Sequence, residues 1–439
     1  MYRFASLSLL TAATALTNDK FQHVQQPLFK DACPSNSIIN GECQGLPLPD
    51  ASNPSFAQNI SQAVGEAHDS AHKAADIPWT FWPECYSNEK TTEPYCVFTH
   101  QSFAGGRGIT IIDTATNAYR MLSKPAFTHP EVLNRVNDFT SPPFSVHEFP
   151  IKGRGLVANK TLHRGTQIFA STPLVLANPS SYDLSASERL ALQHRGIATL
   201  PPASQSLFWT LLDHFKGDAV EDRINTNAFE VYISSSMTHA VLPEIAMLNH
   251  DCRPNAAYFF DEETLSHHVH ATQTIFPGEE ITITYINNER SRDRRVKNLK
   301  QNWGFECSCS SCSAHPDLVA ESDARLAQME VLAEKLGDWS EESTATPGMA
   351  ETLVSLYEQE RLFASLGAPY KLAAEAYAAV GDRWNAVKYA RLGAELEVLD
   401  KGFRDQGVGQ MRGMAEKVEM SWSWKKRVSV GRGGCGHGH

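Results

Sequence analysis

The sequence predicts an α+β protein: a β-rich middle that carries a helical insert, followed by an α-helical C-terminal region. Three patterns carry that reading. Residues 145–177 alternate short apolar runs with glycine turns. Residues 183–222 switch to apolar spacings of three and four. After residue 318 the pattern becomes that of paired helices. The 439 residues suffice for two or three domains. Hydrophobic residues make up 42% and charged residues 20%, ordinary values for a globular protein. A net charge of −11 argues against direct nucleic-acid binding, although local acidity would attract a lysine-rich partner. No apolar run approaches the ~20 residues of a membrane-spanning helix.

The first element is a secretory signal over residues 1–17. Arg3 precedes a mildly apolar stretch, Phe4 to Leu16, with Ala13 and Ala15 near a cleavage point. The alternative is the amphipathic start of a nuclear or cytoplasmic protein. Residues 18–140 read as a loop-rich, cysteine-containing region with one β-like piece, "GRGITIIDT". In an exported chain, Cys33, Cys43, Cys85 and Cys96 would form two disulfides, their pairing left open; otherwise they are free thiols. The sequons at Asn59 and Asn159 matter only after export.

The β-rich unit spans 141–288. "VHEFPIKGRGLVANKTLHRGTQIFASTPLVLA" gives strands separated by glycine turns. Within the insert, "SASERLALQHRG" opens on a serine cap and "SQSLFWTLLDHF" has helical spacing. "AVLPEIAMLNHDCRPNAAYFFD" runs from helix to turn to strand, and "SHHVHATQTIFPGEEITITYI" is two β-runs around Pro-Gly. Residues 289–315 hold the basic helix "RSRDRRVKNLKQNWGF" and then "CSCSSC". Helices fill 318–400, where alanine and tyrosine spacing around Gly381-Asp382 resembles a tetratricopeptide-type hairpin. Residues 401–439 read as a tail that ends in Gly and His and holds Cys435.

Three cysteines in six residues suit a metal, but a tetrahedral site needs a fourth ligand. The pieces "KGRGLVANKTLHRGTQIF", "TNAF", "MLNHDCRPNA", "GEEITITY" and "GFECSCSSC", in this order, resemble a SET-domain protein lysine methyltransferase. The helical insert and helical C-terminus resemble the branch that pairs SET with a MYND zinc finger, although no run of cysteines and histidines supplies that finger. The resemblance implies a SET core, a post-SET zinc segment and S-adenosylmethionine as methyl donor. It assigns Cys252 as the fourth zinc ligand beside Cys307, Cys309 and Cys312. Gly153, Arg154 and Gly155, then Asn227, Asn249, His250 and Phe305, become cofactor contacts. The second Gly-Arg-Gly is preferred over Gly106–Gly108 because "HRGTQIF" follows it.

Tyr285, which closes "GEEITITY", is the expected catalytic residue. With a reference pKa near ~10 a phenol is a poor base at neutral pH, so its role is to position the reacting groups. Trp303 is expected to line the lysine channel. The partner implied is a lysine-bearing protein substrate, and the chain is expected to be a monomer. Asp251 stands where the family more often has serine. The alternative function is an inactive SET scaffold that binds a partner through its helices.

Overall fold

The computed structural model describes residues 38–39, 42–43, 77–150 and 152–428. The expected signal segment, Cys33 and its pairing, Asn59 and Cys435 lie outside the described residues. Strands β1 (Ile38–Ile39) and β2 (Glu42–Cys43) form a separate two-stranded ribbon.

Three further strands precede residue 140, where the sequence suggests loops around one β-piece: β3 (Glu84–Tyr86), β4 (Tyr95–His100) and β5 (Ile109–Thr114). "YCVFTH" is buried at its four central positions, so it lacks the alternation that marks a half-exposed strand. Cys85 and Cys96 lie directly opposite one another on β3 and β4 and form a disulfide.

The middle of the chain builds onto these strands. The next elements are β6 (Phe144–Phe149), β7 (Gly153–Ala158), β8 (Gln167–Ser171), β9 (Val175–Ala177), β10 (Ala228–Ile233), β11 (Ser236–Val241), β12 (Asn249–His250), β13 (Ala256–Asp261), β14 (Ser266–Ala271) and β15 (Glu280–Ile283). They assemble into sheets of order β10-β11-β9-β5-β4-β3, β12-β15-β7-β6 and β13-β14-β8. One core joins Phe98, Ile109 and Ile111 of the N-terminal strands to Leu156, Phe169, Leu248, Val269 and Ile281 of the rest.

The insert supplies α1 (Ala186–Ala198), α2 (Pro202–Trp209) and α3 (Ala219–Asn227). Ser185 caps α1 in a reciprocal capping box with Glu188, as the serine cap predicts. The second helix stops at Trp209, so Leu211 and Leu212 are not helical. Leu192, Ile197, Phe208 and Ile224 bury the insert against Val97, Ile112 and Val175. "AVLPEIAM" forms the end of β11 and a single 3₁₀ turn, not a helix, because Ala240 and Val241 are held by β10 and β9.

Helix α4 (Arg292–Trp303) ends on Gly304, whose φ of 71° suits glycine. The helices α5 (Pro316–Gly337), α6 (Pro347–Gln359), α7 (Gly367–Ala379), α8 (Arg383–Lys401) and α9 (Gln406–Glu416) share a second core rich in alanine. Helices thus continue past residue 400, into the segment expected as tail. Among the described residues, no helix is long and apolar enough to cross a membrane.

A buried ion cluster fastens this helical region to the middle. Arg253 contacts Glu360, which also accepts from Arg325 at 2.6 Å and from the Ser322 hydroxyl at 2.7 Å. Burial would raise the Glu360 pKa, but Ser322 and the two guanidiniums bring it down overall. Its stabilising contribution is therefore present above the ordinary carboxylate range and is lost as pH falls through the lowered folded value. Glu360→Ala is expected to cost about 3–5 kcal/mol, because Arg253 would stay buried without its partner. Equilibrium denaturation at neutral pH measures this, and a change under about 1 kcal/mol would show the clamp to be dispensable.

Candidate functional site

Four thiols converge where the middle unit meets α4. Cys252 follows β12 in a turn, and Cys307, Cys309 and Cys312 follow α4. Their sulfur atoms all lie within 4.8 Å of one another. A tetrahedral zinc–thiolate site, with Zn–S near ~2.3 Å, places its sulfurs ~3.8 Å apart. All four are free cysteines, and the Cys252 and Cys312 sulfurs are 3.5 Å apart. In the bare cluster, S–H donors from its neighbours hold the Cys309 thiol down. The proton donated to Cys309 in turn pushes Cys252 upward. Arg295 is buried beside them, and although burial disfavours its charge, Cys252 and Cys312 hold its pKa up. It donates to Ser311 Oγ at 2.9 Å, while Arg292 Nε donates to the Cys312 carbonyl at 2.9 Å. The donor set and the adjacent buried cation fit a divalent metal held by four thiolates.

His250 joins this cluster to the strand ends. Its Nδ1 accepts the Tyr285 backbone N–H at 3.0 Å, and its Nε2 lies 3.3 Å from the Cys252 sulfur. Burial depresses its pKa to about 4, so the ring is neutral at pH 7. With Nδ1 accepting, the remaining proton sits on Nε2 and points to the Cys252 sulfur. Burial, with the Cys309 thiolate nearby, raises Asp251 to about 6.

Asn249 pairs in parallel with Thr282, which brings β12 beside β15. Its Nδ2 donates to the Arg154 carbonyl at 3.2 Å and to Glu280 Oε1 at 2.9 Å. Glu280 also binds Lys152 at 2.6 Å. Gly155 leaves the room this needs: an added Cβ would sit 2.6 Å from Asn249 Nδ2 and 2.7 Å from Phe149 Cε2. Gly153 has a φ of 72°, the left-handed conformation that favours glycine.

Tyr285 follows β15. Its hydroxyl donates to the Leu248 carbonyl at 2.7 Å. Burial raises its pKa, so the phenol stays protonated. Its ring lies 5.4 Å from His250 and 5.9 Å from Trp303, and Phe305 lies 6.3 Å from His250. The structure thus gathers Gly153, Gly155, Asn249, His250, Tyr285, Phe305 and the four cysteines around adjoining strand ends.

Two expected site residues have other attachments. Asn227 gives both amide protons to carbonyls of its own neighbourhood, Leu212 and Arg223, each at 2.8 Å. The Arg154 guanidinium reaches across to the Thr210 carbonyl at the end of α2. Sequence reading missed Glu280, the Leu248 carbonyl, Arg295 and His214, whose ring lies where a Gly304 side chain would be. Glu280 was findable, since "GEEIT" puts a carboxylate at a strand start; the others are long-range approaches.

Residues 153–286 match the sequence profile of the SET domain. That stretch, 134 of the 439 residues, is similar to a SET domain. The chain is similar to histone-lysine N-methyltransferase set5 of Schizosaccharomyces pombe, with 28% identity over 197 residues, 44% of this chain and 58% of that protein. Protein-lysine N-trimethyltransferase SMYD5 of Homo sapiens is 47% identical over 72 residues, 16% of this chain and 17% of that one. Histone-lysine N-methyltransferase ASHR1 of Arabidopsis thaliana is 38% identical over 73 residues, 17% of this chain and 15% of that one. The chain therefore spans less than two thirds of each of these relatives. The SET match begins at Gly153 and ends just past Tyr285, so it encloses Gly155, Asn249, His250 and Cys252. The strands β3–β5 and the helices α4–α9 lie outside it.

Proposed function

We propose that the protein is an S-adenosylmethionine-dependent protein-lysine N-methyltransferase with a structural zinc. The convergence of Gly155, Asn249, His250 and Tyr285 beside the four-thiol cluster carries this reading, and the names of the SET-domain relatives support it. Gly153, Arg154 and Gly155 would hold the cofactor along their backbone, with Asn227, Asn249 and His250 near it and Phe305 against its adenine. S-adenosylmethionine supplies a methyl group made electrophilic by its sulfonium. Cys252, Cys307, Cys309 and Cys312 would hold zinc, which fixes residues 304–312 onto the SET core.

The chain's own residues then position a lysine. The amine must lose its proton before its nitrogen can act as a nucleophile. Tyr285 is protonated and cannot take that proton, so it orients the amine and the acceptor geometry through its hydroxyl. Trp303, beside the Tyr285 ring, would face the ammonium form of the approaching side chain. We take the α7–α8 hairpin as tetratricopeptide-like and the enzyme as a monomer.

Isothermal titration of the full chain with S-adenosylmethionine tests this. Saturable binding is the expected result. Absence of binding in folded protein would leave an inactive scaffold instead. Gly155→Ala is expected to weaken binding about tenfold or more, because overpacking costs ~1–3 kcal/mol and the nearest atom is the Asn249 amide. Unchanged affinity in that variant would remove the Gly155 turn from the cofactor site.

A further inference from the structure

We propose that Asn159 carries an N-linked glycan, attached in the secretory pathway. Asn159-Lys160-Thr161 is a sequon, and the short pattern alone is weak. Its placement adds the physical requirement. All three residues are exposed in the turn after β7. The Asn159 backbone N–H is fixed on the Pro143 carbonyl at 2.9 Å. The Ser145 hydroxyl donates to its side-chain Oδ1 at 3.0 Å. Among the described residues nothing is bonded to Nδ2, the atom a glycan takes. The amide is thus oriented by its oxygen, with its nitrogen open to solvent.

A second observation is independent of the turn. Cys85 and Cys96 are joined in a disulfide, a bond that persists in oxidising compartments and is rare in the cytosol and nucleus. The same compartments hold the glycosylation machinery. The apolar, small-residue stretch from Phe4 to Leu16 would bring the chain there. The glycan would leave the cofactor site clear: Asn159 lies four residues along from Gly155, the nearest proposed contact, about 13 Å at ~3.3 Å per strand residue.

The chemistry is a glycosyl transfer from a lipid-pyrophosphate-linked oligosaccharide. Asn159 Nδ2 bonds to the anomeric carbon of the first sugar. The bond from that carbon to the pyrophosphate oxygen breaks, the lipid pyrophosphate leaves with the electron pair, and Nδ2 gives up one proton. No oxidant or reductant is needed.

The test expresses the full chain with its own N-terminus in a eukaryotic cell, in an Asn59→Gln background so that a single sequon remains. Treatment with peptide N-glycosidase should increase gel mobility and convert Asn159 to aspartate, read by peptide mass spectrometry. Thr161→Ala should abolish the shift, and Thr161→Ser should keep it. S-adenosylmethionine affinity should be the same in all three, which separates this outcome from that of the proposed activity. An unmodified Asn159 overturns the proposal, whether the chain is recovered from the secretory pathway or from the nucleus or cytoplasm.

Discussion

Cys252→Ser is expected to strip the zinc and unfold residues 289–312 locally, while the two large hydrophobic cores stay folded. Cys252 is fully buried in the turn after β12, and its three partners come from a segment 55 to 60 residues later. Apart from the metal, that segment is tied to the rest of the chain through the buried Leu299, the Arg292 backbone N–H donated to Asp323 at 2.8 Å and the Arg290–Glu330 ion pair at 2.9 Å. Without a cation, four sulfurs within 4.8 Å must share protons in a buried space, with Cys309 favoured as the thiolate at the expense of Cys252. Zinc would replace that arrangement with four compensated thiolates. Structural zinc is worth about 10–16 kcal/mol in small zinc-finger peptides at pH 7, and part of that should appear here as local stability. Metal analysis should find stoichiometric zinc in the wild type and little in the variant. Hydrogen exchange should speed up over 289–312 but not over β4 or α8. A wild-type protein purified from zinc-replete cells with far less than one zinc per chain would refute the assignment.

The parts legible in the sequence were those with local rules. Glycine turns announced β6, β7 and β8, the Ser185 cap announced α1, and "GEEITIT" announced β15. The helical hairpin around Gly381 was also readable: Gly381 adopts a φ of 79°, and Asp382 caps α8 by accepting from Asn385. What hid β4 was its burial, and β3, at three residues, is too short to show a period. Phe98 and Cys96 sit inside a shared core, so the two-residue period that would reveal a strand is absent. The sequence also gave no sign that β5 runs parallel to β9, which is what merges residues 84–114 into the central sheet.

At the site the same division holds between local and long-range information. The "CSCSSC" spacing indicates a metal because three thiols cannot easily avoid one another over six residues. Cys252 required knowing that a turn 55 residues earlier folds back onto them, and the family resemblance provided it. Arg295 illustrates what remained hidden. In sequence it is one arginine on a basic helix, with solvent exposure as the ordinary expectation. In the structure its side chain is buried, bonded to Ser311 and to the Arg290 carbonyl, and acts as a counter-charge for the thiolates. Glu360 is similar: an acid at the C-terminal end of α6 that becomes the partner of two arginines from different elements.

Tyr285→Phe is expected to lower methyl transfer by on the order of 10²-fold or more while leaving cofactor affinity nearly unchanged. The substitution removes one hydroxyl and keeps the ring, so the packing against His250 and Trp303 should persist. The lost bond to the Leu248 carbonyl should cost about 1 kcal/mol of stability, too little to unfold the domain. None of the proposed cofactor contacts uses that hydroxyl: Asn249 bonds Arg154 and Glu280, and His250 accepts from the Tyr285 backbone, which phenylalanine also supplies. The loss should therefore fall on kcat, with the cofactor dissociation constant within about threefold of wild type. Burial keeps the phenol protonated, so the rate of the wild type should show no ionisation of Tyr285 below the ordinary tyrosine range. Asn249→Ala gives the opposite pattern, because it releases the Arg154 carbonyl and Glu280 together and should weaken cofactor binding first. The comparison is made by titration and by turnover on a protein that the wild type methylates. Wild-type turnover in Tyr285→Phe would remove the catalytic role from Tyr285, and equal losses in kcat and affinity would make it a structural residue instead of a positioning one.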